Sequence, residues 1–380
     1  MSFRFDKLLL LPLLALLAVS CYIESPGKPA GVHYIDWSQP PYFPTANNIP
    51  ANNRLSTEGV LLGRYLFYDY RIGGKRDADS LLSCAFCHKQ EYGFDAGADN
   101  NRLGNGGMRG AAGLYTAHVP LPLVNVAYNI RGLGWTSTLE YPQGTLETLI
   151  ANTLLDSAEF AASKEDIVDR VASIEMYPPL FNAAFGTPTV TFDRICMALA
   201  QFVRSLVSSQ SKFDRYVRGE LQLSDKEMKG YVLFTTEEGA DCFHCHGGNG
   251  NMLFTTYDNL INGLDAPEHF TDPHDRFSVT GKEADRGAYR VPTLRNIAYT
   301  APYMHDGRFS TLDEVIDQYS ENVQYSPCIS PLMHHVKAGG VQLTEGEKEC
   351  LKAFLLTLGD EAFINNPEFS DPFVQDTLLP

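Results

Sequence analysis

Two stretches of the chain repeat one another in the order of their apolar positions. In residues 60–67, Val60, Leu61, Leu62, Tyr65, Leu66 and Phe67 follow helical spacing, and the stretch leads into Cys84, Cys87 and His88. In residues 228–234, Met228, Tyr231, Val232, Leu233 and Phe234 do the same ahead of Cys242, Cys245 and His246, and Ser224 with Glu227 three places on predicts a capped helix start. Between the two, residues 167–171 and 192–207 carry apolar side chains at helical intervals, Ile195, Leu199, Phe202, Val203 and Leu206 among them. Period-two alternation is scarce. Gly- and Asn-rich stretches such as residues 96–112 predict long loops, which in a compact protein usually have a role of their own. The pattern is that of a mainly α chain with two comparable units in tandem.

The ends read differently. Arg4 and Lys7 precede an apolar run over residues 8–19, followed by Ser20 and Cys21, which predicts a targeting signal over residues 1–21. The run is shorter than the roughly 20 residues of a spanning helix. Residues 18–21 resemble a bacterial lipobox, with Ala18 where Leu is usual, so Cys21 is expected to carry lipid and tether the protein in the periplasm. Residues 22–52, rich in Pro, Asn and Gly, predict a tether, and residues 366–380 a C-terminal tail. With 380 residues, 44% of them apolar, the chain can bury a large core. Its formal charge of −16 opposes nucleic acid and anionic lipid and favours cationic partners.

The chemistry lies in C-x-x-C-H, present at residues 84–88 and 242–246. Two thiols add to the vinyl groups of haem, and the following His reaches the iron. A zinc site or a disulfide across each pair would not require His directly after the second Cys in both copies. Two covalent haem c groups are expected, held by Cys84, Cys87 and His88 and by Cys242, Cys245 and His246. The fold class is therefore read as mainly α, with two cytochrome c-like haem domains in tandem: residues 53–215 and 216–365.

Both motifs, together with residues 291–307 (Val291, Pro292, Thr293, Leu294, Arg295, Asn296 and on to Gly307) and 311–315, resemble the bacterial di-haem cytochrome c peroxidases and their MauG-like branch over roughly residues 50–360. The resemblance implies a peroxidatic haem at His88, with Glu159 as the distal acid and base on hydrogen peroxide. A partly desolvated carboxyl suits that task. It implies an electron-transfer haem at His246, whose opposite ligand falls at Tyr319, the residue type of the MauG-like branch, with Met304 and Met333 as competing thioether ligands. It also implies a calcium ion held by Asn125, Thr300 and Pro302.

The departures matter as much. The family's Trp-Asp-Gly-Arg is replaced around Trp135 and Tyr141, leaving open which aromatic group bridges the haems. No His stands near residues 103–106, where ordinary peroxidases block the peroxidatic iron; Met108 and His118 come later. The expected activity is reduction of peroxide with electrons from a small cytochrome c or copper protein. The alternatives are MauG-like oxidation of a protein substrate and a passive electron carrier. A homodimer is expected from the family habit. Cys196 is placed in the core, and a Cys328–Cys350 disulfide is permitted by an oxidising compartment.

Overall fold

The computed structural model describes residues 31–74, 82–98, 107–140 and 142–376. The predicted targeting segment and Cys21, Tyr141 and residues 103–106 lie outside them. Helices dominate the first half: α1 (Thr57–Tyr68), α2 (Cys84–Cys87), α3 (Leu146–Leu155), α4 (Lys164–Ser173), α5 (Tyr177–Phe185), α6 (Phe192–Ser205) and α7 (Lys212–Val217). The second half carries α8 (Asp225–Phe234), α9 (Phe243–His246), α10 (Arg276–Thr280), α11 (Leu312–Glu321), α12 (Glu345–Leu356), α13 (Glu361–Ile364) and α14 (Pro372–Asp376). Among the described residues, strands are confined to two antiparallel pairs, β1 (Gly132–Leu133) with β2 (Leu139–Glu140) and β3 (Asn259–Leu260) with β4 (Tyr289–Arg290).

The long helices start where polar caps satisfy free backbone N–H groups. Ser56 Oγ accepts from Gly59 N–H at the head of α1, and Ser224 forms the expected capping box with Glu227 at the head of α8. Each of these two helices then crosses a later one at a glycine. A Cβ on Gly63 would fall 2.0 Å from the Ala198 carbonyl oxygen of α6, and one on Gly230 would fall 1.9 Å from that of Cys350 in α12. The two apolar clusters form around these crossings. Leu62, Leu66, Phe67, Leu199 and Phe202 are buried at the first, and Phe234, Leu351, Phe354 and Leu355 at the second.

Buried polar groups tie the clusters together. The Arg295 guanidinium, fully buried, donates to both Asp214 carboxylate oxygens at 2.9 and 2.8 Å and to Met252 O at 2.7 Å. Asn296 Nδ2 donates to Ser208 Oγ, while its Oδ1 accepts from Asp360 N–H. Arg295 and Asn296 are thereby tied to Ser208, Asp214, Met252 and Asp360.

Parts of both ends pack onto the rest of the molecule. Residues 31–52 have almost no regular structure, yet Phe43 is buried edge-on against Tyr128 and Asn48 Nδ2 donates to the carbonyls of Val126 and Asn129. At the other end, Tyr68 and Arg64 of α1 donate to the carbonyls of Phe369 and Ser370, and Phe363 and Phe369 pack against Phe94. Both segments belong to the folded body because aromatic anchors outweigh their lack of periodicity. Cys328 and Cys350 are not bonded: Cys328 is exposed, whereas Cys350 is buried at the α8–α12 crossing. Cys196 is buried in α6, the core position expected for it. No helix among the described residues is long and apolar enough to cross a membrane.

Candidate functional site

Two large cavities open into the molecule, one behind each Cys pair. Cys84, Cys87 and His88 line the first, Cys242, Cys245 and His246 the second. In both, a one-turn helix carries the cysteines, and the His is held the same way. His88 Nδ1–H donates to the Phe94 carbonyl at 2.8 Å, and His246 Nδ1–H to the Phe254 carbonyl at 3.3 Å. Such a bond fixes tautomer and ring orientation and leaves Nε2 as the nitrogen free to bind a metal. Phe94 and Phe254 are fully buried and share a left-handed backbone, φ 61° and 54°. Burial pushes both imidazoles down to about 4, so each is neutral near pH 7, the form that ligates. Paired thiols, a neutral oriented imidazole and a deep cavity behind them fit a thioether-bound haem in each place.

Glu159 follows α3 and lines the His88 cavity with Thr153 of that helix. Burial, with Asp156 adding repulsion, pushes its carboxyl up to about 7 against the stabilising hydrogen bond from Thr153. Met108 lines the same cavity and is fully buried. His118 also reaches it, but its Nε2 is held 2.6 Å from Asp272 Oδ2, so that nitrogen serves a carboxylate.

The His246 cavity gathers all three candidates for a second ligand: Tyr319 from α11, Met304 and Met333. Tyr319 is singled out by a polar partner, Asn262 Nδ2–H donating to its Oη at 2.8 Å. Burial raises the phenol to about 12, and this donor works in the opposite sense, toward phenolate. Thr300 and Pro302 line this cavity too. Asn125 is buried with its amide spent on Ser208, Nδ2–H donating to Ser208 O and Oδ1 accepting from Ser208 N–H.

Trp135 lines both cavities, as do Arg290 and Pro292. Its indole Nε1–H donates to Val119 O at 2.8 Å, and its carbonyl accepts from Arg290 N–H at 2.6 Å. Of the two aromatic candidates, Tyr141 lies outside the described residues, and Trp135 stands on the shared wall. The anchoring carbonyls of Phe94 and Phe254 and the Asn262 donor were not foreseen. They sit six, eight and sixteen residues beyond the haem-motif histidines, at no common spacing, and a carbonyl carries no side-chain signature.

A mainly helical protein with two cavities, each backed by C-x-x-C-H, has the make-up of a multihaem c-type redox protein. The family described as di-haem cytochrome c peroxidase matches residues 57–222. The cytochrome c551 peroxidase of Nitrosomonas europaea is 33% identical over 260 residues, covering 67% of this chain and 71% of that protein. The methylamine utilization protein MauG of Methylorubrum extorquens is 31% identical over 317 residues, covering 82% and 81%. A crystal structure described as a MauG-like protein associated with microbial copper homeostasis superposes with a TM-score of 0.78 at 34% identity, covering 89% of this chain and 99% of that one. The chain belongs to the di-haem cytochrome c peroxidase family, which takes in both cytochrome c peroxidases and MauG. It is accordingly an oxidoreductase of the cytochrome-c peroxidase type, with two haem c groups.

Proposed function

We propose that the chain folds as two cytochrome c-like haem domains in tandem and reduces hydrogen peroxide at the haem held by Cys84, Cys87 and His88. The second haem, held by Cys242, Cys245 and His246, receives electrons from a small cytochrome c or copper protein. The recurrence of the glycine crossing and of the His-to-carbonyl anchor supports the tandem reading. When bound, haem supplies the redox change and the site where peroxide is polarised. The protein's own part is proton movement. Glu159 takes a proton from one peroxide oxygen and returns it to the other, so that with two electrons and two further protons the products are two waters. The observation that carries this is the Glu159 carboxyl in the His88 cavity, whose affinity for protons is raised to about 7. His88, oriented by the Phe94 carbonyl, would supply the imidazole that holds the iron.

A second reading, oxidation of Tyr or Trp in a protein substrate as in the MauG-like branch, is favoured by Tyr319. Tyr319, held by Asn262, would offer the haem of the His246 cavity a phenolate ligand that favours oxidised iron, whereas Met304 or Met333 would favour electron acceptance. The likeness to the MauG-like structure associated with copper homeostasis weighs the same way. Periplasmic placement by a lipidated Cys21, a homodimer, and a calcium ion bound through Asn125, Thr300 and Pro302 complete the reading. For calcium, Oδ1 of Asn125 keeps a second lone pair beyond the one given to Ser208.

The test is a resting-state electron paramagnetic resonance spectrum followed by peroxide addition with and without reduced donor. A high-spin iron with donor-dependent turnover supports the peroxidase. A high-spin iron whose oxidised state persists until a protein is added supports the second reading. Two low-spin irons with no peroxide reaction would leave a passive electron carrier.

A further inference from the structure

At the rim of the His246 cavity stands a cluster that the haem chemistry does not use. Glu237, in the turn after α8, meets His244, one of the two residues between the cysteines of the second motif, and His334 from the loop before α12. One ring nitrogen of each histidine and one Glu237 carboxylate oxygen all lie within 4.8 Å of one another. His244 Nε2 is 3.7 Å from Glu237 Oε1, and the two rings meet edge to face with centroids 4.9 Å apart.

Behind the histidines lies a carboxylate placed to orient them. Asp241, 5% exposed, has its Oδ1 2.6 Å from His244 Nδ1 and its Oδ2 3.3 Å from His334 Nδ1. With both Nδ1 atoms turned to Asp241, Nε2 is the nitrogen each ring has left, and on His244 it is the one facing Glu237. A carboxylate that holds the rear nitrogen of a ligating imidazole is the usual second layer of a metal site. The loop is tied in place from the other side, where His335 Nε2 donates to the Glu237 carbonyl at 3.1 Å. The site is reachable, with side-chain exposures of 61% for Glu237, 41% for His334 and 19% for His244.

We propose that Glu237, His244 and His334 bind a divalent copper or zinc ion, with Asp241 as the positioning residue. Two imidazoles and one carboxylate are borderline ligands that suit this end of the first-row series, whereas calcium and magnesium take oxygen alone. Tetrahedral bonding at ~2.1 Å brings ligand atoms to roughly 3.4 Å from one another, which partly exposed side chains reach by small rotations. Three protein ligands leave one position open for water or for a ligand from another molecule. The assignment does not depend on which haem reacts with peroxide.

The experiment uses the untagged, matured protein with both haems attached, stripped of loose metal by a chelator. Copper(II) and zinc(II) are titrated separately by calorimetry, and the copper-loaded sample is examined by electron paramagnetic resonance. One equivalent is expected to bind, with hyperfine splitting from two imidazole nitrogens. Glu237→Gln and His334→Ala should each weaken binding by at least about tenfold, and Asp241→Asn by about 10–100-fold without removing a ligand. The haem absorption spectrum verifies that each variant has matured. Should His334→Ala fail to mature, Glu237→Gln at the most exposed ligand decides alone. Absence of a stoichiometric equivalent, or an equivalent whose affinity none of the variants alters, overturns the proposal and leaves His334 and His244 as ion-pair partners of Asp241 only.

Discussion

At the scale of single residues, Glu159 is the group whose ionisation most directly sets activity. Its proton affinity is raised by burial first and by Asp156 second, to about 7. The carboxylate is the form that accepts the peroxide proton, and it dominates above that value. Peroxide turnover is therefore expected to fall as pH drops through about 7, and Glu159→Gln should abolish that limb and slow turnover by about 10²–10⁴-fold with both haems attached. Steady-state peroxide consumption between pH 5 and 9 measures it; a limb that survives in the Gln variant would assign the titration elsewhere. Stability moves in the opposite sense. A carboxyl whose folded value is raised contributes stability below its unfolded value near 4.5 and loses it as pH rises through about 7. The Gln variant, which has no charge to bury, should consequently match or exceed the parent in denaturation midpoint at pH 8. The cysteines, His88 and His246 were legible because side-chain chemistry at fixed spacing marks them, whereas Glu159 was named only through the resemblance to the family. Asn262 and the Phe94 and Phe254 carbonyls were not, because their roles arise only when distant turns meet the motif.

The element scale explains what repeats. Helices α1 and α8 read clearly from apolar spacing, but the spacing gave no meaning to Gly63 and Gly230, which helix propensity alone counts as a defect worth about 1 kcal/mol each. Their meaning is contact: at each, another helix's backbone occupies the place of a side chain. Gly230→Ala is expected to destabilise by about 1–3 kcal/mol through the forced separation of α8 from α12, despite the better helix former. Val232→Ala, at a 51% exposed position of the same helix, should stay within about 0.5 kcal/mol. Guanidinium unfolding followed by far-ultraviolet circular dichroism compares the two, and equal effects would refute the close-crossing account. The same scale shows why the packing of the ends could not be read from periodicity. Segments that pack by isolated anchors such as Phe43 and Phe369 have no period to read, so a tether and a docked strap look alike in sequence.

For the molecule as a whole, the two cavities share part of their lining, and Trp135 is its aromatic member among the described residues. The indole is held by Val119 O on one side, and its backbone by Arg290 on the other, whose Nε also donates to Gly134 O at 2.9 Å. A side chain restrained in this way keeps a constant geometry toward both cavities, the condition for reproducible electronic contact between groups bound in them. Trp135→Phe preserves an apolar ring but removes the Nε1–H anchor and the more easily oxidised indole. It should slow electron exchange between the two haems by about tenfold, equivalent to ~1.4 kcal/mol of barrier. Spectral changes at each haem after a pulse of reductant give the rate. Trp37→Phe is the matched control, because Trp37 packs against Tyr128 and lines neither cavity. An unchanged rate in Trp135→Phe, or equal slowing in both variants, would show that the shared wall insulates the two sites.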